Sequence, residues 1–318
     1  MPPCRRGAIG QVLVIDLENE DYADTCGPNS PAVYLNSTLL KRGQLVPNYF
    51  ATSHASLGNY LAQVSGQQGT AAQNDDCPRL NSLGQATPLG SFTDITPGTD
   101  AADQLMFPGQ VLGDGCVFPA PLKQARGYGT PDALGGADCA HPPIGGVDYS
   151  NAATAIDQYA TRHNPVAYFH SIIDDMNRCN RHVAPLGTLK PGRNGAADTF
   201  HGHLHDDLRR LETTPRFMFV SPNLCNDGHD DPCAAPNVAG RRDAAGRHVG
   251  AVLFNKRYIR PGTVNNTGSY NHYSALRSYD DLLGPTSGGD DGLGRLGYAA
   301  VPGLLPFGAD VFNKPVQH

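Results

Sequence analysis

The chain has 318 residues, a formal net charge of -6, eight cysteines and no tryptophan. Apolar residues reach 39% and charged residues 17%, both below the usual soluble-domain values of about 45–50% and about 25%. Glycine and proline are abundant, at 37 and 26 positions, yet show no collagen or low-complexity repeat. This excludes coiled-coil and collagen-like chains and describes a globular body with long, turn-rich loops.

Basic residues are scattered and form no stripe, which speaks against a nucleic-acid partner. No run of 18 apolar residues exists, so no transmembrane segment is expected. The first residues run straight into a strand-like segment, and no signal peptide is visible. The cysteines Cys4, Cys26, Cys77, Cys116, Cys139, Cys179, Cys225 and Cys233 form no CxxC pair. They read as structural disulfides of an oxidising compartment, with Cys225–Cys233, Cys77–Cys116 and Cys139–Cys179 as candidate pairs. Reduced, buried thiols are the alternative.

In chain order, residues 11–17 form a short Val/Ile/Leu run expected for a buried parallel strand. Residues 31–43 predict a helix, with Pro31 near its start and Gly43 just past its end. Residues 56–66 predict another, with Leu57, Tyr60, Leu61 and Val64 on one face. Residues 67–150 carry little periodicity and read as a long excursion. A helix at 151–163, a strand at 165–173, a short charged helix at 203–212 and a strand at 216–221 follow. A strand at 249–254 and a helix at 273–283 complete the pattern. Strands alternating with helices indicate a single α/β domain spanning 1–318, with a mainly parallel sheet flanked by helices.

Ligands of open α/β sheets bind beyond the carboxyl ends of the strands, and four polar clusters lie in such places or at helix starts. Glu18-Asn19 closes the first strand; a helix cap or a surface turn is the plain alternative. Thr52-Ser-His-Ala-Ser-Leu-Gly-Asn-Tyr60 puts Ser56 at a helix start, where free N–H groups favour an anion and an alkoxide. Asn59 is placed to offer an amide to the same oxygen, and His54 is a candidate substrate-binding residue. An ordinary N-cap explains the serine equally well. Asp227, His229, Asp230 and Asp231 crowd the loop after the 216–221 strand and suit Zn²⁺ or a similar divalent ion. An acidic loop closed by a disulfide is the alternative there. His272 opens the last helix as a candidate ligand or base, or as a satisfied polar residue. His201, His203, His205 and the Asp174-Asp175 pair carry less weight.

Taken in order, five segments resemble the phosphoesterase family of secreted bacterial acid phosphatases and phosphatidylinositol 3-phosphatases, related to phospholipases C and the alkaline phosphatase superfamily. They are Val14-Ile-Asp-Leu-Glu-Asn19, Ser53 through Gly66, Tyr168 through Asp175, Phe219 through Asp230, and Arg260-Pro-Gly-Thr263 through Tyr270-Asn-His-Tyr-Ser274. The resemblance implies an alkaline-phosphatase-like fold and an extracellular location. It implies hydrolysis of a phosphate monoester through a phosphoserine at Ser56, with Asn59 holding the phosphoryl oxygen. It further implies a divalent metal cofactor bound by Glu18 and Asn19, and by Asp227, His229 and His272. The expected partner is a small phosphorylated substrate or a phosphoinositide headgroup, and a phospholipase-type diester is the other substrate class.

The family also carries, after the Asn-Asp-x-His-Asp loop, a strand ending in paired acids. Here residues 231–248 leave no room for it, and the region 121–138 is short as well. The resemblance therefore implies some lost core elements. The alternative function is a catalytically impaired homologue that binds phosphorylated ligands.

Overall fold

The computed structural model describes residues 9–18, 20–68, 122–124, 159–169, 175–185, 188–190, 199–201, 203–212, 214–224, 227–228, 248–284 and 286–316. Its organising element is a four-stranded parallel sheet with the order β1-β8-β4-β5. Strand β1 is Val12–Ile15, β4 is Leu122–Gln124, β5 is Val183–Pro185 and β8 is Phe217–Ser221. The strand expected at 216–221 is buried along its whole length. That is what a Phe-Met-Phe-Val run predicts for a central parallel strand. The expected first strand pairs with it in register, Val12 opposite Phe217 and Ile15 opposite Val220. It alternates in burial, however, and leaves Ile15 57% exposed.

Smaller sheets lie apart from this one. Strand β2 (Gln44–Val46) sits between β10 (Thr263–Val264), parallel to it, and β9 (Ala251–Leu253), antiparallel to it. Strand β3 (Tyr49–Phe50) pairs with β11 (Tyr270–Asn271), and β6 (Thr188–Lys190) with β7 (Thr199–His201). Mixed helices with parallel and antiparallel strands make the fold α/β.

Helix α2 (Ser56–Ser65) is the scaffold of the site. Leu57, Tyr60, Leu61 and Val64 are all buried, as their spacing requires. Each such side chain is worth roughly 1.5–3 kcal/mol of burial. The helix ends at Gly66, whose φ of 72° lies in the left-handed region. A Cβ there would collide with the Leu296 carbonyl, so glycine alone fits. Helix α2 packs on the last long helix, α5 (His272–Leu283), which begins where expected. Beside α5 lies a core of Val46, Tyr49, Ile259, Tyr270, Ala275, Phe307 and Val311. The short helices are α1 (Tyr22–Thr25), α3 (Met176–His182) and α4 (His203–Leu208), the last within the charged stretch expected to be helical.

Three expectations are corrected. The 31–43 segment winds as a π-helix over Leu35–Leu39 rather than as a full α-helix. The stretch at 165–173 begins with a 3₁₀ turn, Pro165–Tyr168, instead of a strand, because proline fixes φ and has no N–H for a ladder. Within the supposed excursion, Leu122–Gln124 pairs with both β8 and β5, so an apparently structureless region supplies an interior strand. Three residues are too few for periodicity to register. Most of 67–158, and the interval after Asp231 where a strand appeared to be missing, lie outside the described residues.

Buried Cys179 is disulfide-bonded to a cysteine outside the described residues, and Cys26 is a free thiol. The candidate pairs Cys225–Cys233 and Cys77–Cys116, and Cys139, also lie outside them. No described helix is long and apolar enough to cross a membrane.

Candidate active site

The site forms beyond the carboxyl ends of β1 and β8. The Asp16 N–H donates to Val220 O at 2.9 Å and the Glu18 N–H to Asp227 O at 3.0 Å. Glu18 and Asp227 are therefore held side by side by backbone, and both are buried. Gly228 follows with φ 102°, where a Cβ would press on the Glu18 carbonyl at 3.0 Å.

Ser56 occupies the first turn of α2 and is 6% exposed. The N-cap is Ala55, in extended conformation, and its side chain makes no capping hydrogen bond. The capping explanation for this serine is thus removed. Its hydroxyl instead donates to Glu18 Oε2 at 2.7 Å, a short charge-assisted distance. The loop before it is clamped by Asn59. Asn59 Oδ1 accepts from Thr52 N at 2.9 Å and Ser53 N at 2.8 Å, and Nδ2 donates to Ser53 O at 3.0 Å and Ala55 O at 3.1 Å. The amide expected to meet a phosphoryl oxygen is engaged with the loop in this conformation. His54, on the same loop, is exposed.

His163 completes the cluster and was not singled out from the sequence. It follows Arg162 in a 3₁₀ turn, Thr161–His163, and is 2% exposed. Its Nε2 lies 3.6 Å from Glu18 Oε1 and its Nδ1 3.7 Å from Asp227 Oδ2. Its ring stacks on Tyr60 with centroids 5.2 Å apart and planes at 19°. No spacing signal pointed to it, because its partners lie far away in the chain.

The electrostatics are those of crowded, buried carboxyls. Burial, reinforced by the charge of Asp16, raises Glu18 to about 7, while the Ser56 and Tyr60 hydroxyls and Arg162 pull it down. Burial raises Asp16 to about 6, against the Gln63 amide that donates to it at 2.5 Å.

His272 opens α5 with its Nδ1 2.9 Å from the Tyr49 hydroxyl, and burial lowers it to about 3, which keeps the imidazole neutral. The structure thus gathers Glu18, Ser56 and Asp227 around His163, while His272 pairs with Tyr49. Asn19 and His229 lie outside the described residues. Among the described residues no group of three or more His, Cys, Asp or Glu side chains is arranged to hold a metal ion. The Glu18 and Asp227 carboxylates are nonetheless the hard oxygen donors that a divalent ion takes, and such a charge would offset the burial that raises Glu18.

A serine hydroxyl thus faces a buried carboxylate at a helix N-terminus. Comparison with known proteins gives it a context. The chain is 27% identical over 257 residues to a phosphate-repressible acid phosphatase of Penicillium chrysogenum, covering 81% of this chain and 47% of that protein. It is 24% identical over 223 residues to a probable acid phosphatase of Kluyveromyces lactis, covering 70% of this chain and 39% of that protein. An acid phosphatase of Aspergillus niger is 24% identical over 279 residues, covering 84% of this chain and 52% of that protein. The chain spans about half the length or less of these relatives. No family model matches it, and no solved structure does.

Proposed function

We propose that this chain hydrolyses phosphate monoesters, with Ser56 as the nucleophile. The observation that carries the reading is the 2.7 Å hydrogen bond from Ser56 Oγ, unused for capping, to the buried Glu18 carboxylate. The names of the fungal relatives support the same reaction class.

Ser56 Oγ attacks phosphorus as its proton leaves along the bond to Glu18 Oε2. The Oγ–P bond forms as the ester P–O bond breaks, and Glu18 passes the proton to the departing oxygen, which leaves as the alcohol. Water then attacks the phosphoserine; its hydroxide goes to phosphorus, its other proton goes through Glu18 to Ser56 Oγ, and inorganic phosphate leaves. The positive end of the α2 dipole lies on the side where the phosphoryl charge would be met. Asn59 acts by holding Ser53 and Ala55 in place, and exposed His54 is positioned on the loop to meet the substrate. Glu18 and Asp227 would hold a divalent ion, with Asn19, His229 and His272 as the other proposed ligands. When bound, such an ion lowers the pKa of the nucleophile and neutralises phosphoryl charge.

The substrate we infer is a small phosphomonoester or a phosphoinositide headgroup. The disulfide at Cys179 supports an oxidising, extracellular setting. A second reading is a homologue that binds phosphorylated ligands without turnover, favoured by the sequence after Asp231, which leaves no room for the paired acids of the family it resembles.

Hydrolysis of p-nitrophenyl phosphate with and without added Mg²⁺ or Zn²⁺, with Ser56→Ala alongside, decides between them. The expected result is metal-stimulated turnover that Ser56→Ala abolishes. Metal-independent background activity, unchanged by Ser56→Ala, would overturn the enzyme reading. Saturable binding of inorganic phosphate with no turnover would establish the second.

A further inference from the structure

Basic side chains that are scattered along the sequence are brought to one end of the small sheet β10-β2-β9. Lys41 and Arg42 lead into β2 through Gly43, and β9 ends at Leu253, opposite Gln44, and continues into Phe254, Lys256 and Arg257. On the other side Arg260 leads into β10, and the Gly262 N–H donates to Gly43 O at 2.8 Å. Asn255 fixes the intervening turn, its Oδ1 accepting from Arg257 N at 2.9 Å and from Tyr258 N at 3.0 Å. The Asn313 N–H donates to Tyr258 O at 2.8 Å and brings Lys314 to the same turn. All six cations are exposed, and among the described residues none of them forms an ion pair. The chain carries no Asp or Glu from residue 25 to 74 or from 244 to 279. Asp310, on the C-terminal segment, is already bound by Asn265 at 2.8 Å and by the Thr267 and Tyr270 hydroxyls. A chain of net charge -6 thus has one distinctly positive end.

Apolar side chains sit among these charges. Phe254 is 50% exposed and Val264 56%. The register aligns Val252, Leu45 and Val264 across the sheet, and Phe254, two residues after Val252, shares their face. The Phe254 ring lies over Gly43, where a Cβ would come within 2.7 Å of it, so the glycine makes room for the ring. Cations around an exposed aromatic and an exposed valine match a surface that is negative outside and apolar just beneath, as an anionic bilayer is. A nucleic-acid duplex would meet the cations with phosphates but gives Val264 no apolar counterpart. We propose that this end of the β10-β2-β9 sheet is a docking surface for an anionic lipid bilayer. Phe254 and Val264 enter the headgroup layer while the six cations meet the lipid charges. Lys41 and Arg42 precede β2, whereas the loop carrying Ser56 follows β3, beyond the other end of β2. Docking therefore uses none of the proposed catalytic groups and does not depend on the reading of Ser56.

The test is co-sedimentation of the full chain with phosphatidylcholine vesicles, with and without phosphatidylserine. Wild type is compared with the triple variant Lys256→Ala/Arg257→Ala/Arg260→Ala and with Phe254→Ser. Wild type is expected to partition onto the phosphatidylserine vesicles and not onto phosphatidylcholine alone. Each cation contributes about fivefold to that partition, so the triple variant should bind about 100-fold more weakly. Phe254→Ser should lose about tenfold. All of the changed side chains are exposed, so Tm should stay within a few degrees of wild type. No binding, equal binding to both kinds of vesicle, or binding that the triple variant or Phe254→Ser retains in full overturns the inference. Tighter binding to a DNA duplex than to the vesicles, lost in the triple variant, overturns the choice of lipid and assigns the surface to nucleic acid. Should a variant not fold, salt decides on wild type alone. Vesicle binding that weakens at least about tenfold as NaCl rises from about 0.05 to about 0.5 M supports the inference, and binding indifferent to salt overturns it.

Discussion

Two helix N-termini look alike in the sequence and differ in the structure. Helix α2 begins with Ser56 behind an alanine cap, and its hydroxyl points to Glu18. Helix α5 begins with His272 behind Asn271, whose side-chain Oδ1 accepts from Ser274 N at 3.0 Å, while His272 is tied to Tyr49. Both starts carry a polar residue suited to chemistry. Neither residue caps its helix, and only at α2 is it aimed at a buried carboxylate. A polar residue at a helix start is thus informative only once the local cap has been accounted for.

The contrast can be tested in descending order of effect. Glu18→Gln removes the acceptor of the Ser56 proton, and kcat for p-nitrophenyl phosphate should fall by about 10²–10³ with KM little changed. An activity within tenfold of wild type would make the α2 terminus no more reactive than that of α5. Asn59→Ala releases the loop that presents Ser56. Calorimetry should register a loss of about 2–3 kcal/mol, because a part-buried amide leaves several backbone groups without partners.

The pH dependence of stability comes next. Burial raises Asp16 to about 6 and Glu18 to about 7, from ordinary values of 3.8 and 4.5. The folded chain keeps these protons to higher pH than the unfolded chain does. Their contribution is complete below the ordinary values and is lost as pH rises through 6 and then 7. His272, lowered from 6.5 to about 3, works the other way and contributes less as pH falls below 6.5. Two carboxyls outweigh one imidazole. The metal-free chain should therefore be less stable at pH 8 than at pH 5 by about 2 kcal/mol, read from Tm. A divalent ion held by Glu18 would raise Tm more at pH 8 than at pH 5. Equal shifts would place the ion elsewhere. The smallest effect is at α5, where Asn271→Ala should cost about 1 kcal/mol and leave KM unchanged.

Several parts of the molecule were legible beforehand. The Val-Leu-Val-Ile run declared itself as a parallel strand and the Phe-Met-Phe-Val run as a strand, α2 showed its buried face through spacing, and α5 showed its extent. Glu18, Ser56 and Asp227 stood out as polar residues at strand ends or a helix start, and the structure brings them together. His163 and the strand Leu122–Gln124 did not stand out. One lies in a turn with no periodic signature, and the other is three residues long.

The sequence by itself determined the α/β pattern, the buried face of α2 and the chemical types available at the strand ends. These depend on local periodicity and on contacts within a few residues. Tertiary structure decided that Ser56 does not cap its helix, that Asn59 holds a loop, and that His163 sits between Glu18 and Asp227. Those roles depend on residues far apart in the chain meeting in a buried space, where an acceptor or a charge has few alternative partners.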